Sequence, residues 1–235
     1  MTKKAIALLS GGMDSVTAAA MIKNQGYEIY ALTVSYGQRH SREIESAKRL
    51  AIWLGAKEHE VIDLPISRLL KSSLMNPEED LTSKDEKTIG SSIPSTYVPG
   101  RNAILLAIAA AWAESIGAEA IVMGVNAIDY SGYPDCGQPF IDAFENVIKI
   151  ATKSGVEGHP VEILAPLAKM SKEAIVRKGT ELGVPFKETW SCYSGGNKPC
   201  GVCDSCLLRK KGFAAAGIPD PALALDMPRK KAKTA

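Results

Sequence analysis

Four of the five cysteines in this 235-residue chain fall between Cys192 and Cys206, and the last three read Cys200-Gly-Val-Cys203-Asp-Ser-Cys206. Two successive CxxC steps wrap three sulfurs around one point, and a returning Cys192 supplies the fourth corner of a tetrahedron. Disulfides rarely use such crowding, whereas metal sites often do. Four thiolates suit Zn2+, and the same spacing also holds iron–sulfur clusters. No histidine lies in the segment, so a closed structural site is expected, whose binding energy becomes folding energy. Cys136 stands apart, readable as a small buried hydrophobe or as a site residue.

A second chemical signal lies near the other terminus. Ser10-Gly11-Gly12-Met13-Asp14-Ser15 follows an apolar run of strand length and precedes a helical stripe of Val16, Ala19, Ala20 and Ile22. At a strand-to-helix turn, unpaired N–H groups and the positive end of the helix dipole converge on one point, which suits phosphate. The two glycines let the backbone approach an anion, and the Ser10 and Ser15 hydroxyls can donate to it. An ionised Asp14 cannot donate; it either fixes the loop or holds Mg2+ between itself and phosphate. The hexapeptide is neither GxxxxGK[ST] nor GxGxxG. Ser-Gly-Gly-x-Asp-Ser resembles the PP-loop of the ATP pyrophosphatase superfamily, whose members bind the pyrophosphate of ATP there and adenylate a carbonyl oxygen.

These residues need elements to hold them. Strand-length apolar runs at 5–9, 29–34, 59–64 and 120–123 alternate with helical patterns at 41–54, 103–115 and 142–151 and a helix capped by Ser171 and ended by Gly183. That alternation predicts an α/β fold, a doubly wound, mostly parallel sheet with helices on both faces. The division expected is an ATP-binding domain over residues 1–190 and a four-cysteine module with a basic tail over 191–235. The polar stretch at 76–88 reads as a long excursion of the kind used for lids. The apolar run at 103–113 is too short to span a membrane and reads as a buried helix. Lysines 3 and 4 precede too short an apolar segment for a signal peptide, so a cytoplasmic protein is expected.

Three more segments carry special residues at strand exits or helix entries: Tyr36-Gly-Gln-Arg39-His, Val98-Pro-Gly-Arg101-Asn, and the stretch from Gly124 through Asp129, Tyr130, Tyr133 and Asp135 to Cys136. In a doubly wound sheet these ends line the ligand crevice. Singly, Arg39 reads as a surface charge, Arg101 as a helix-entry contact and Asp129 as a turn former. Together, SGGMDS, YGQRHSRE, VPGRN, GVNAIDYSGYPDC and CGVCDSCLLR resemble the 7-cyano-7-deazaguanine synthase family over nearly the whole chain. The chain departs from that pattern after YPDC, where the family has an arginine and this sequence has Gly137 and Gln138.

The resemblance implies that ATP adenylates 7-carboxy-7-deazaguanine, that ammonia displaces AMP to give an amide, and that a second ATP activates the amide for elimination to the nitrile. It implies an ATP site at Leu9, Ser10, Gly11, Gly12, Met13, Asp14, Ser15 and Val16, with Lys172 near phosphate; the bland reading of Lys172 is a solvated first-turn lysine. Arg101 or Arg39 would neutralise the substrate carboxylate or the α-phosphate. The guanine-like edge of the substrate presents two adjacent N–H donors, which one carboxylate accepts in bidentate fashion; Asp129 and Asp135 are the candidates, with Tyr130 or Tyr133 stacking on the ring. Small-molecule substrates and a homodimer are implied. Two competing readings are an RNA-modifying PP-loop enzyme and a nucleotide-dependent regulatory module. A net charge of only +2, from 28 basic and 26 acidic residues, provides no global field for nucleic acid or an anionic membrane.

Overall fold

Side-chain alternation along the first strand sets the layering. In β1 (Lys4–Leu8), Ala5 and Ala7 face one layer and Ile6 the other, and all three are buried. A strand covered on both faces belongs inside a parallel sheet. β2 (Glu28–Ser35), β3 (Glu58–Asp63), β4 (Ala120–Val122) and β5 (Glu162–Leu164) complete a parallel sheet in the order β3-β2-β1-β4-β5. The register places Ala5 between Ile29 and Ala120. The computed structural model describes residues 2–37, 42–76, 78–79, 81–82, 92–126 and 132–222.

α1 (Met13–Asn24), α2 (Arg42–Leu54), α6 (Lys172–Glu181) and α7 (Asp204–Ala216) contribute to the core on one face of the sheet, and α3 (Arg101–Ile116) and α4 (Gln138–Ala151) to the core on the other. The chain winds outward from β1 to β3, then returns to β4 beside β1. That reversal opens a crevice at the carboxyl ends of β1 and β4, the place where doubly wound folds bind ligands. A single-turn helix, α5 (Lys153–Val156), precedes β5.

The predicted strands and helices form with shifted ends. Gly12 is the N-cap of α1, and Ser171 caps α6 by accepting from the Ala174 N–H at 3.2 Å. α3 is not enclosed as its composition implied. It buries Leu106, Ala109, Ala110 and Ala113, while Ala107 and Ala111 are exposed. Most of the predicted excursion at 76–88 lies outside the described residues.

The cysteine segment is joined to the main core. Phe213 of α7 meets Phe186 edge to face at 5.2 Å, and the Trp190 N–H donates to the Gly11 carbonyl at 2.9 Å. Arg209 is clasped by Asp220 through bonds of 2.7 and 2.9 Å, with both side chains buried, and it also donates to Thr189 Oγ1 and the Phe186 carbonyl. A third apolar cluster packs Cys192, Cys203 and Cys206 against Tyr36, Leu74, Leu81 and Val98.

Candidate active site

A cavity of about 250 Å³ opens at the crevice. Its apolar floor includes Leu8, Leu32, Val34 and Met123, and its rim carries Ser10, Asp14, Ser15, Glu43, Arg101 and Lys172. The glycine turn forms one wall. Gly11 has φ +84°, and a Cβ there would collide with the Glu43 carbonyl oxygen, so α2 packs directly on the loop. Ser15 Oγ lies 3.0 Å from Ser10 Oγ and 3.2 Å from the Gly12 carbonyl, which pre-sets both hydroxyls beside the start of α1. Leu9, Gly12 and Met13 also line the cavity; Gly11 lies behind it, and Val16 is fully buried in the core.

Lys172 is buried rather than solvated, and its Nζ donates to Asp14 Oδ2 at 2.8 Å. Two contacts guide it there. Asn126 Nδ2 donates to the Met170 carbonyl at 2.6 Å and anchors the entry to α6. Gly212 of α7 leaves room for the lysine stem, since a Cβ there would clash with Lys172 Cγ and lie 3.0 Å from its Cβ. Asp14 Oδ1 is buried without a partner among the described residues. A carboxylate oxygen left open next to a phosphate-type loop fits a divalent cation, because burying such an atom with no partner is costly.

Arg101 begins α3 behind a left-handed Gly100 and approaches the Tyr36 hydroxyl at 3.5 Å. Burial opposes its charge, but Tyr36 and Asp135 outweigh that and hold it cationic. Glu43 faces the same space. Burial pushes its carboxyl up to about 7, the Arg101 charge pulls it partly back and Cys192 adds to the rise. The unfolded carboxyl ionises near the ordinary 4.5. Folding therefore favours the protonated form, and the stability this contributes, full below pH 4.5, is lost as pH rises to 7. Glu43→Gln should match wild type at pH 4.5 and be about 3 kcal/mol more stable than it at pH 8, which denaturant midpoints at the two pH values will check.

Asp135 is 6% exposed and does not line the cavity; its Oδ2 accepts from the Asn102 N–H at 3.1 Å, and its carbonyl accepts from Asn102 Nδ2 at 2.7 Å. It ties the short 3₁₀ turn Pro134–Cys136 to the start of α3. Cys136 does line the cavity, and burial pushes its thiol up to about 11, with Asp135 adding to the rise, so it stays protonated at neutral pH. Tyr133 reaches the cavity with its hydroxyl 2.6 Å from Thr96 Oγ1 and its ring edge-on to Tyr97. Gln138 is exposed and turns to Asp142 at 2.7 Å. Arg39, Asp129 and Tyr130 lie outside the described residues.

The four sulfurs of Cys192, Cys200, Cys203 and Cys206 lie within 4.8 Å of one another. Tetrahedral zinc–thiolate bonds place sulfurs about 3.8 Å apart, and Cys200 Sγ is 4.0 Å from Cys206 Sγ. Cys192 Sγ accepts N–H bonds from Cys200 at 3.2 Å and Ser194 at 3.4 Å, and Cys200 Sγ accepts one from Cys203 at 3.4 Å. Such donors stabilise thiolates, and the set fits a bound metal with no position left for substrate. Sequence reasoning missed Glu43, Asn102, Ser205, Trp190 and Tyr193 as cavity residues. The YGQRHSRE, VPGRN and CGVCDSCLLR matches contained signals for Glu43, Asn102 and Ser205; Trp190 and Tyr193 lie in none of the matched motifs.

A parallel sheet that reverses between β1 and β4, with a Ser-Gly-Gly-Met-Asp-Ser turn leading into the helix after β1, defines a PP-loop protein of the ATP-utilising α/β class. The family model for "Queuosine biosynthesis protein QueC" matches residues 4–217, and the chain belongs to that family. Its relatives include the 7-cyano-7-deazaguanine synthases of Cupriavidus pinatubonensis, 49% identical over 94% of this chain and 97% of that protein, and Anaeromyxobacter sp., 50% identical over 94% and 96%. The synthase of Nitrosospira multiformis is 52% identical over 92% of this chain and 93% of its own length. Among the described residues no helix is long and apolar enough to cross a membrane.

Proposed function

We propose that this protein converts 7-carboxy-7-deazaguanine and ammonia to 7-cyano-7-deazaguanine with two molecules of ATP. The observation that carries the reading is the meeting of the Ser10–Ser15 turn, the buried Asp14–Lys172 pair and the cationic Arg101 around one cavity, in a chain of the QueC family. A carboxylate is a poor electrophile because its leaving group is oxide. Attack of its oxygen on the α-phosphorus breaks the bond to pyrophosphate, and the acyl group then carries AMP as a leaving group. Ammonia adds to the acyl carbon, AMP departs, and a proton is released with the amide. The amide oxygen next attacks a second α-phosphorus and expels a second pyrophosphate, and loss of the two remaining N–H protons and AMP leaves the nitrile.

In this reading Ser10, Ser15, the first N–H groups of α1 and Lys172 hold the departing pyrophosphate. Arg101 neutralises the carboxylate and the α-phosphate as they approach, so charge developing in the transition state meets a preset cation. Mg2+ on Asp14 Oδ1 would supply further charge neutralisation of the phosphates. Glu43, with its raised carboxyl value, accepts protons released from nitrogen. The apolar floor takes the adenine, and Tyr133 bounds the deazaguanine. With Asp135 committed to Asn102, Asp129 is left as the carboxylate that reads the guanine-like edge.

Zn2+ in the four-cysteine site, a cytoplasmic location and a homodimer complete the reading. The exposed apolar residues Val147 and Ile150 of α4, with Ala107 and Ala111 of α3, support self-association. Incubation with ATP, Mg2+, ammonium and 7-carboxy-7-deazaguanine should give the nitrile by mass analysis; pyrophosphate release that depends on added RNA instead would refute the proposal. Asp129→Ala should cost ~2–5 kcal/mol in kcat/KM for the acid with ATP affinity kept. Asp135→Ala should instead lower the unfolding midpoint, because a buried N–H loses its acceptor. Equal substrate selectivity in wild type and Asp129→Ala would remove the edge assignment.

A further inference from the structure

Ser205 lies in the first turn of α7, is only 8% exposed, and lines the same cavity as Ser10, Asp14 and Lys172. Its hydroxyl has no hydrogen-bond partner among the described residues. The small exposed part of this otherwise enclosed residue lies on the cavity lining, where its hydroxyl is free to meet a ligand. α7 is 13 residues long, and its positive end offsets part of the negative charge of Asp204 and of the Cys203 and Cys206 sulfurs beside Ser205. Cys203, its N-cap, has no side-chain oxygen to compete for that place.

The rest of α7 indicates which anion. Gly212, two turns further along the same face, lies against the stem of Lys172, whose Nζ meets Asp14. The helix therefore runs beside the lysine that serves the glycine turn, and its N-terminal end reaches the cavity about 10 Å further on. A hydroxyl donor and a helix dipole suit a phosphoryl group better than an apolar ring or a guanidine-like edge.

We propose that Ser205 and the first turn of α7 bind the terminal phosphoryl group of the nucleotide, so that the cysteine segment forms one wall of the pyrophosphate site opposite Ser10 and Ser15. This rests on the reading of the cavity as an ATP site. The metal-loaded full chain is titrated calorimetrically with inorganic pyrophosphate and, separately, with AMP, as wild type, Ser205→Ala and Ser205→Asp. Removing one hydroxyl donor should weaken pyrophosphate about tenfold and leave AMP unchanged. The aspartate should abolish pyrophosphate binding by repulsion; in Ser205→Ala the loss for pyrophosphate with AMP affinity and melting temperature kept is the separation that a purely structural serine would not give. Unchanged pyrophosphate affinity in Ser205→Ala, or an equal loss for AMP, overturns the assignment. A wild-type protein that binds neither ligand overturns the ATP reading and this proposal with it, whereas tight pyrophosphate binding by wild type and Ser205→Ala alike removes the role of Ser205 alone.

Discussion

Asp14→Asn should lower turnover by about 10²–10³-fold while the protein stays folded. The amide is isosteric and keeps one oxygen to accept from Lys172, so the buried ammonium retains its hydrogen bond. The variant loses the negative charge and places an NH2 group where Oδ1 now has an open lone pair. A cation that met a carboxylate oxygen there would meet two donor hydrogens instead. Pyrophosphate release in the presence of substrate measures the loss, and unfolding midpoints establish that the fold persists. Wild-type turnover by this variant would mean that Asp14 only shapes the loop.

The largest effect on stability is expected at Cys203, which is fully buried in the apolar cluster that includes Tyr36 and Val98. Structural zinc sites contribute roughly 10–16 kcal/mol of binding energy that appears as folding energy, more than most domains possess as net stability. Cys203→Ser should therefore reduce bound metal from about one per chain to near zero and lower the melting temperature by more than about 10 °C. Nucleotide binding should weaken too, because Trp190, Ser191 and Tyr193 of the same segment line the cavity. Elemental analysis and a thermal melt decide the first two, and iron with acid-labile sulfide would replace zinc by a cluster. A variant with full stability and no metal would show that the four sulfurs hold nothing of consequence.

The sheet was legible because β1, β2, β3 and β4 are apolar runs set off by glycine or polar residues, and periodicity sees such runs well. β5 was not, since Glu162–Leu164 is three residues long and is chosen by pairing with β4 rather than by its own pattern. α7 escaped because the cysteine spacing invites a loop, and its buried face consists of Ser205, Arg209, Gly212 and Ala216 among the apolar Leu208 and Phe213. That Lys172 comes to the glycine turn, where it meets Asp14, was readable by resemblance. Its burial was not, because that depends on Gly212, forty positions away, having no side chain. Asp129 and Asp135 looked equivalent in sequence; the Asn102 N–H that occupies Asp135 is a contact with another element that spacing cannot report, and Asp129 lies outside the described residues.

The hydrogen bonds that close the cavity span long stretches of chain. Asp14 and Lys172 are 158 positions apart, and the Trp190 N–H crosses back to Gly11. Contacts of such sequence separation carry a large loop-closure entropy, which the rest of the fold must offset. No fragment that stops short of residue 205 contains the whole cavity lining, which runs from Leu8 to Ser205. Activity in this protein is therefore a report on the whole fold, and a ligand held in that cavity would oppose global unfolding more than local fraying.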